Sequence, residues 1–341
     1  MSLLINLANP RLDPPLLSAG FAIGACTLFT FSYVASLYVS PAGRVMGTTD
    51  ASGKTVDRDH PVVIRARIKT ASLATALTVV ATGVVLWVKR IIPRSGWLLD
   101  TLNAARLLGL PLPVPSVLSS SMIPLDPPLA NYLAKLTVHV GAPLLLTAML
   151  FLGPLYVAFL DQQLPLQRYF CYRRDVVDKF TSLTGIRNYL VGPLTEELVF
   201  RCTILTPLLF SGVSRTKLIL LTPAFFAIAH AHHAYNVWLQ GGRTKHAALT
   251  GLLTATLQLC YTGVFGWYAN FLFLRSASVV APFGAHVWCN LMGLPDPVGA
   301  EQRHAKSKWL IWSVHAIGIV LFAKCLFPLT SSAVFGGSLY W

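Results

Sequence analysis

The chain has 341 residues, of which 54% are hydrophobic and only 12% charged. Soluble domains carry about 25% charged residues, so half the usual solvated surface is missing, and a mean hydropathy of +0.60 argues against a soluble globular enzyme. The 27 basic residues outnumber the 13 acidic ones, but they fall between apolar runs without a basic-aromatic stripe, so the lipid bilayer is the expected partner and nucleic acid is not.

Uncharged stretches of roughly 18 residues or more predict eight membrane spans, at 15–39, 71–88, 136–160, 188–210, 218–237, 247–270, 277–294 and 309–328. The expected fold is therefore all-α, a polytopic integral membrane protein forming a single domain over 1–341. The first apolar run starts after Arg11 and Asp13 and lasts about 25 residues, longer than a signal-peptide core, and reads as a retained span. Between the second and third spans, 97–125 is ambiguous. Its first half is amphipathic and suits the membrane interface, while Pro111, Pro113 and Pro115 argue against a span in the second half. The loops 40–70, 161–187, 238–246 and 295–308 hold 16 Lys and Arg against 9 in the alternate set, which places the first set in the cytoplasm. Six scattered cysteines without C-x-x-C spacing support neither a disulfide framework nor a zinc ribbon.

Four charged residues fall inside the expected spans: Glu196, Glu197, Arg201 and Lys324. Lys324 lies near a span end and can snorkel. The other three share one segment, and ionisable groups there should face a protein-lined or wet cavity and suggest function. Glu197 and Arg201, four residues apart, can pair on one helix face as a scaffold. Glu196 is turned by about 100° from Glu197 and needs a partner from another helix. Histidines offer one. His139 and His315 are isolated and read as packing residues, whereas His230, His232 and His233 fall within four positions, and His286 shares a face with Asn290. At 1.5 Å per residue, alternating spans bring Glu196, His230, His286 and Asn290 to depths of about 6–12 Å from the same side.

In this order, E-E-x-x-x-R (Glu196, Glu197, Arg201), F-x-x-x-H (Phe226, His230) and H-x-x-x-N (His286, Asn290) resemble the type II CAAX prenyl endopeptidases, within the wider group of CAAX proteases and bacteriocin-processing enzymes. The run Arg187–Pro193 and the cluster around His232 and His233 are similar to the eukaryotic, Ras-converting branch, and the match covers about 185–295. One departure is Asn236, where that branch often has an acidic residue.

The resemblance implies an intramembrane active-site cavity in the endoplasmic reticulum membrane, accessible from the cytoplasm. Its substrates would be farnesylated or geranylgeranylated CAAX proteins such as Ras-type small GTPases, which lose their last three residues. Amide hydrolysis without a metal needs a base for water, an acid for the leaving amine and donors for the oxyanion. The resemblance assigns Glu196 with His230 to the water and His286 with Asn290 to the oxyanion. Glu197, Arg201, Phe226, His232 and His233 are supporting residues, and no cofactor is expected. The runner-up is a zinc protease using Glu196, His230 and His286 as ligands, although no H-E-x-x-H is present. A thiol mechanism at Cys289 lacks an activating environment. From another class, buried Glu and His chains also mark proton-coupled transporters, which would show internal repeats, and a non-catalytic membrane scaffold is a further alternative.

Overall fold

A computed structural model describes residues 15–44, 50, 53, 56–92, 94–112, 129–229 and 232–341, without the side chains of residues 129, 130, 229, 232, 233 and 236. Among these residues all regular structure is helical. Among the described residues five helices are long and apolar enough to cross a membrane: α1 (Ala19–Val39), α2 (Pro61–Val88), α4 (Leu129–Leu150), α11 (Lys245–Ser276) and α14 (Lys308–Leu329). Between α2 and α4 lies α3 (Trp97–Leu107). It exposes Trp97 and Leu98 while Asp100 turns inward, accepting from Trp87 Nε1 and the Ser95 amide. That arrangement, polar inside and apolar outside, suits an interfacial helix; the proline-rich half beyond residue 112 lies outside the described residues. Along α2, Leu73, Leu77, Val80 and Val84 are exposed, and with no bulk of polar side chains to cover them, such rows belong against lipid.

Of the other three expected spans, two are not single helices and the third is short. The stretch 188–210 consists of α6 (Gly192–Glu197) between π-helical turns at Ile186–Val191 and Leu198–Thr203, followed by α7 (Leu205–Phe210). The stretch 218–237 comprises α8 (Arg215–Leu221), α9 (Pro223–Ala229) and α10 (His232–Gln240), and the seventh is the 13-residue α12 (Val280–Met292), which the short α13 (Pro297–Arg303) follows. The third span, expected to be continuous over 136–160, breaks at Phe151 into α4 and α5 (Leu152–Leu160). Pro154 explains this break, since its ring would clash with the Leu150 carbonyl in a continuous helix. Hydropathy windows see through all of these interruptions, because a proline or wide turn changes no residue's polarity.

The π-helical turns lie toward the middle of the protein, where other helices cover them. Such turns gather at functional sites. Helix α1 covers one side: Cys26 Sγ meets the Ile204 carbonyl at 3.5 Å, and Tyr33 reaches Thr195. Both isolated histidines meet backbone carbonyls, and His315 also lines the cavity that holds Glu196. His139 is buried, with Nε2 3.1 Å from the Phe335 carbonyl, and His315 Nδ1 lies 2.8 Å from the Ile311 carbonyl. Lys324 is exposed.

Helix α14 closes against the break between α4 and α5 through Gly318. A Cβ there would stand 2.6 Å from the Met149 carbonyl oxygen and 3.0 Å from Leu152 Cβ. At Gly263 on α11, nothing lies within 4 Å of the corresponding position. Overpacking costs about 1–3 kcal/mol, so Gly318→Val should lower the detergent melting temperature and monodisperse yield, while Gly263→Val leaves both near wild type. Equal melting curves for the two variants would show that this contact does not hold α14 in place.

Candidate active site

The site is built on the helical run from Ile186 to Phe210. Glu196 and Glu197 are the last two residues of α6, so the helical turn of about 100° per residue sends their carboxylates in different directions. Glu197 has no solvent exposure, whereas the Glu196 side chain retains 24% and lines a cavity of 1410 Å³. As the spacing suggests, Glu197 pairs with Arg201: Oε2 lies 3.0 Å from Nε, and the Arg201 side chain is 1% exposed. The contact is one of charge more than of aligned hydrogen bonding, because neither atom finds a well-directed partner. The guanidinium is further held by aromatic faces, 5.3 Å from the Phe226 ring centre and 5.8 Å from that of Phe265.

The second oxygen of Glu197 reaches a different helix, a contact that its spacing from Arg201 does not reveal. Its Oε1 lies 2.7 Å from Nδ1 of His286, on α12. Glu197 is therefore more than the intrahelical scaffold partner expected from its spacing. It connects Arg201 to His286 across two segments, with both partners buried. Nδ1–H donating to this carboxylate fixes the ring and turns Nε2 toward Glu196, whose Oε2 is 3.7 Å away. That separation exceeds a direct hydrogen bond and is of the kind a bridging water serves. The Phe265 ring centre lies 4.7 Å from the imidazole and packs against it.

One turn further along α12, Asn290 shares the cavity with His286. It donates one Nδ2 hydrogen to the Asn188 carbonyl at 2.9 Å, which ties α12 to the π-helical turn before α6 and leaves the amide's second hydrogen. Below Glu196, Thr195 donates to the Val191 carbonyl, so the Tyr33 hydroxyl, 3.0 Å away, donates to Thr195. Phe226 lines the cavity and packs edge-on against Phe200. Thus Glu196, Phe226, His286 and Asn290 converge on one cavity, with Glu197 and Arg201 behind it. His230 lies outside the described residues, as do the side chains of His232, His233 and Asn236. Among the described residues no group of three His, Cys, Asp or Glu side chains could hold a metal ion; the ligand set conceivable from sequence includes His230 and so reaches beyond them.

Sequence reasoning missed Tyr33, Phe265 and Asn188. Phe265 is one of 18 phenylalanines, and Asn188 acts through its backbone carbonyl, so neither leaves a mark in residue type. The Tyr33–Thr195 contact joins residues 162 apart in sequence.

Removing one partner of a buried charge pair costs about 3–5 kcal/mol, because the other charge is left uncompensated. Arg201→Met should therefore melt well below wild type and accumulate poorly, whereas Glu196→Gln, on the cavity wall, should melt close to wild type. The reverse order in a detergent melting series would contradict this division of the two glutamates.

The profile described as "Type II CAAX prenyl endopeptidase Rce1-like" matches residues 179–292. Among curated proteins the chain is similar to CAAX prenyl protease 2 of Homo sapiens, 31% identical over 346 residues, spanning 98% of this chain and 91% of the relative. It is also similar to the probable CAAX prenyl protease 2 of Schizosaccharomyces pombe, 30% identical over 295 residues, spanning 86% and 88%. For CAAX prenyl protease 2 of Arabidopsis thaliana the figures are 37% over 164 residues, 48% and 50%. No solved structure matches the chain significantly. With Glu196, Phe226, His286 and Asn290 on one cavity wall and relatives of this identity along nearly the whole chain, the chain belongs to the Rce1-like type II CAAX prenyl endopeptidases and is a multi-pass membrane endopeptidase.

Proposed function

We propose that the chain removes the last three residues from proteins ending in a prenylated cysteine, by attack of a water activated at Glu196. The observation that carries this reading is the placement of the two glutamates. Glu197 is committed to Arg201 and His286, while Glu196 faces the cavity with its carboxylate 3.7 Å from His286 Nε2. A water bound between Glu196 and the substrate would give its proton to the carboxylate and add to the carbonyl carbon of the prenylated cysteine. The tetrahedral oxyanion would accept from Nε2–H of doubly protonated His286 and from the second Nδ2 hydrogen of Asn290, fixed donors of the kind that supply much of amide-hydrolysis catalysis. Collapse would return the proton from Glu196 to the leaving amine, yielding the prenylcysteine carboxylate and a free tripeptide. His230 is assigned by the motif to assist Glu196, and His232 and His233 to support it.

The cavity also supports the lipid half of the substrate. Beyond the carboxylate its wall includes Tyr268, Phe271, Phe322, Leu326 and Phe327, with Tyr268 against Phe322 at 5.1 Å and Phe271 against Phe327 at 5.6 Å. Phe322 lies 14 residues into α14, about 21 Å from its start, a depth suited to an isoprenoid chain rather than a peptide. The relatives are named as CAAX prenyl proteases, and the substrates proposed here are farnesylated or geranylgeranylated CAAX proteins, Ras-type small GTPases among them. The basic excess of the loops 40–70 and 161–187 supports access from the cytoplasmic face, with the endoplasmic reticulum membrane as the proposed location.

The test is cleavage of a farnesylated CAAX peptide by purified protein in liposomes. Glu196→Gln, His230→Ala and His286→Ala should each lower kcat/KM by at least about 10²–10⁴-fold, the range of a lost acid-base or oxyanion group, with folded protein retained in full by Glu196→Gln. A strong metal chelator should leave the wild-type rate unchanged. Full activity of Glu196→Gln would overturn the mechanism, and chelator-sensitive activity restored by zinc would favour the metal-dependent alternative.

A further inference from the structure

The cavity that holds Glu196 is not electrically uniform. Among the described residues its lining includes one carboxylate, Glu196, and three guanidinium groups, Arg58, Arg67 and Arg187. They come from three places: the turn preceding α2, the second turn of α2, and the π-helical turn preceding α6. Arg67 lies close enough to interact electrostatically with both Arg58 and Arg187. Asp59 lies beside them, 2.7 Å from Arg187 Nη2 and 3.7 Å from Arg58 Nε. Partial burial works to raise the Asp59 pKa, but the hydrogen bond and charge of Arg187, with the charge of Arg58, outweigh it and hold the carboxyl below its ordinary value. Three guanidinium groups gathered on one part of the cavity wall make that part a fitting place for an anionic group of a ligand.

Arg187 is the best placed of the three to meet a ligand. It is positioned by the Arg58 carbonyl at 2.8 Å, by Asp59, and by Asn188 Oδ1 at 2.8 Å, and its side chain is 19% exposed. Those contacts occupy three of its five N–H donors. The neighbouring residue, Asn188, carries the carbonyl that anchors Asn290, so Arg187 is rigidly referenced to the catalytic wall. Nine residues of helical run separate it from Glu196, about 13 Å at 1.5 Å per residue and somewhat less through π-helical turns.

Resting on the endopeptidase reading above, the geometry points to Arg187, with Arg58 and Arg67, as the site that binds the free C-terminal carboxylate of the substrate. The leaving tripeptide carries this one fixed negative charge, and three extended residues span about 10 Å. A scissile carbonyl at Glu196 therefore delivers the terminal carboxylate to the arginine group, and the prenyl chain, on the other side of the scissile bond, extends toward the aromatic wall. Recognition of the terminus would restrict cleavage to three residues from the end and exclude internal peptide bonds near a lipidated cysteine.

The experiment compares two farnesylated peptides, identical except that one ends in a carboxylate and the other in a carboxamide, using the full chain in liposomes. Wild type should favour the carboxylate peptide by about 10-fold or more in kcat/KM, mainly through KM. In Arg187→Gln this ratio should collapse toward one, in Arg187→Lys it should persist in part, and Arg58→Gln, at an exposed position, should reduce it without loss of folded protein. Equal cleavage of both peptides by wild type, or an unchanged ratio in all three variants, would overturn the carboxylate site and leave the endopeptidase reading intact. Failure of wild type to cleave either peptide would overturn both.

Discussion

The arrangement depends on a single carboxylate, Glu197, shared between two partners where water does not reach. A lone anion at full burial would be untenable. Arg201 supplies the countercharge from the next turn, and His286 takes the other oxygen from a different helix. Because both partners are themselves buried, none of the three can be released without stranding another, so the relative position of α6 and α12 is fixed by electrostatics as well as by packing. The aromatic faces of Phe226 and Phe265 close the remaining sides of this group and keep the local dielectric low. What reaches the cavity is then determined: Glu196 and the outward nitrogen of His286.

Broken helices are what make this possible. A straight apolar helix would carry its polar groups past the membrane interior on a regular spiral, with no segment able to turn a backbone carbonyl toward a neighbour. The π-helical turns at Ile186–Val191 and Leu198–Thr203 flank the short α6, and the first of them offers the Asn188 carbonyl to Asn290. Helix α1 then seals the outside of the broken run through Tyr33 and Cys26. The same cavity thus has peptide-like polar surface near Arg187 and aromatic surface near Phe322, which matches the two chemistries of a lipidated peptide end.

Much of this could be read from residue type and spacing. The scarcity of charge marks the membrane, the 1.5 Å rise places Glu196, His286 and Asn290 at similar depth, and a four-residue interval pairs Glu197 with Arg201. What spacing could not supply was a choice between contacts of similar plausibility. It assigned Glu197 wholly to its own helix, although the carboxylate has a second oxygen, and that oxygen belongs to His286. It also read continuous spans at 136–160 and 188–210, since hydropathy averages over Pro154 and the π-helical turns. Asn188 and Phe265 were invisible for a simpler reason: a backbone carbonyl has no residue signature, and one aromatic ring among many in an apolar chain has no contrast.

The claim that Glu197 couples α6 to α12 through His286 is most directly tested by a double-mutant cycle on thermal stability, with Glu197→Gln, His286→Gln and the double variant melted in the same detergent. Residues in direct hydrogen-bonded contact show coupling of about 0.5–3 kcal/mol. The arrangement described here predicts that the double variant loses clearly less stability than the sum of the two single losses. Strict additivity would contradict it and would return Glu197 to a partnership with Arg201 alone.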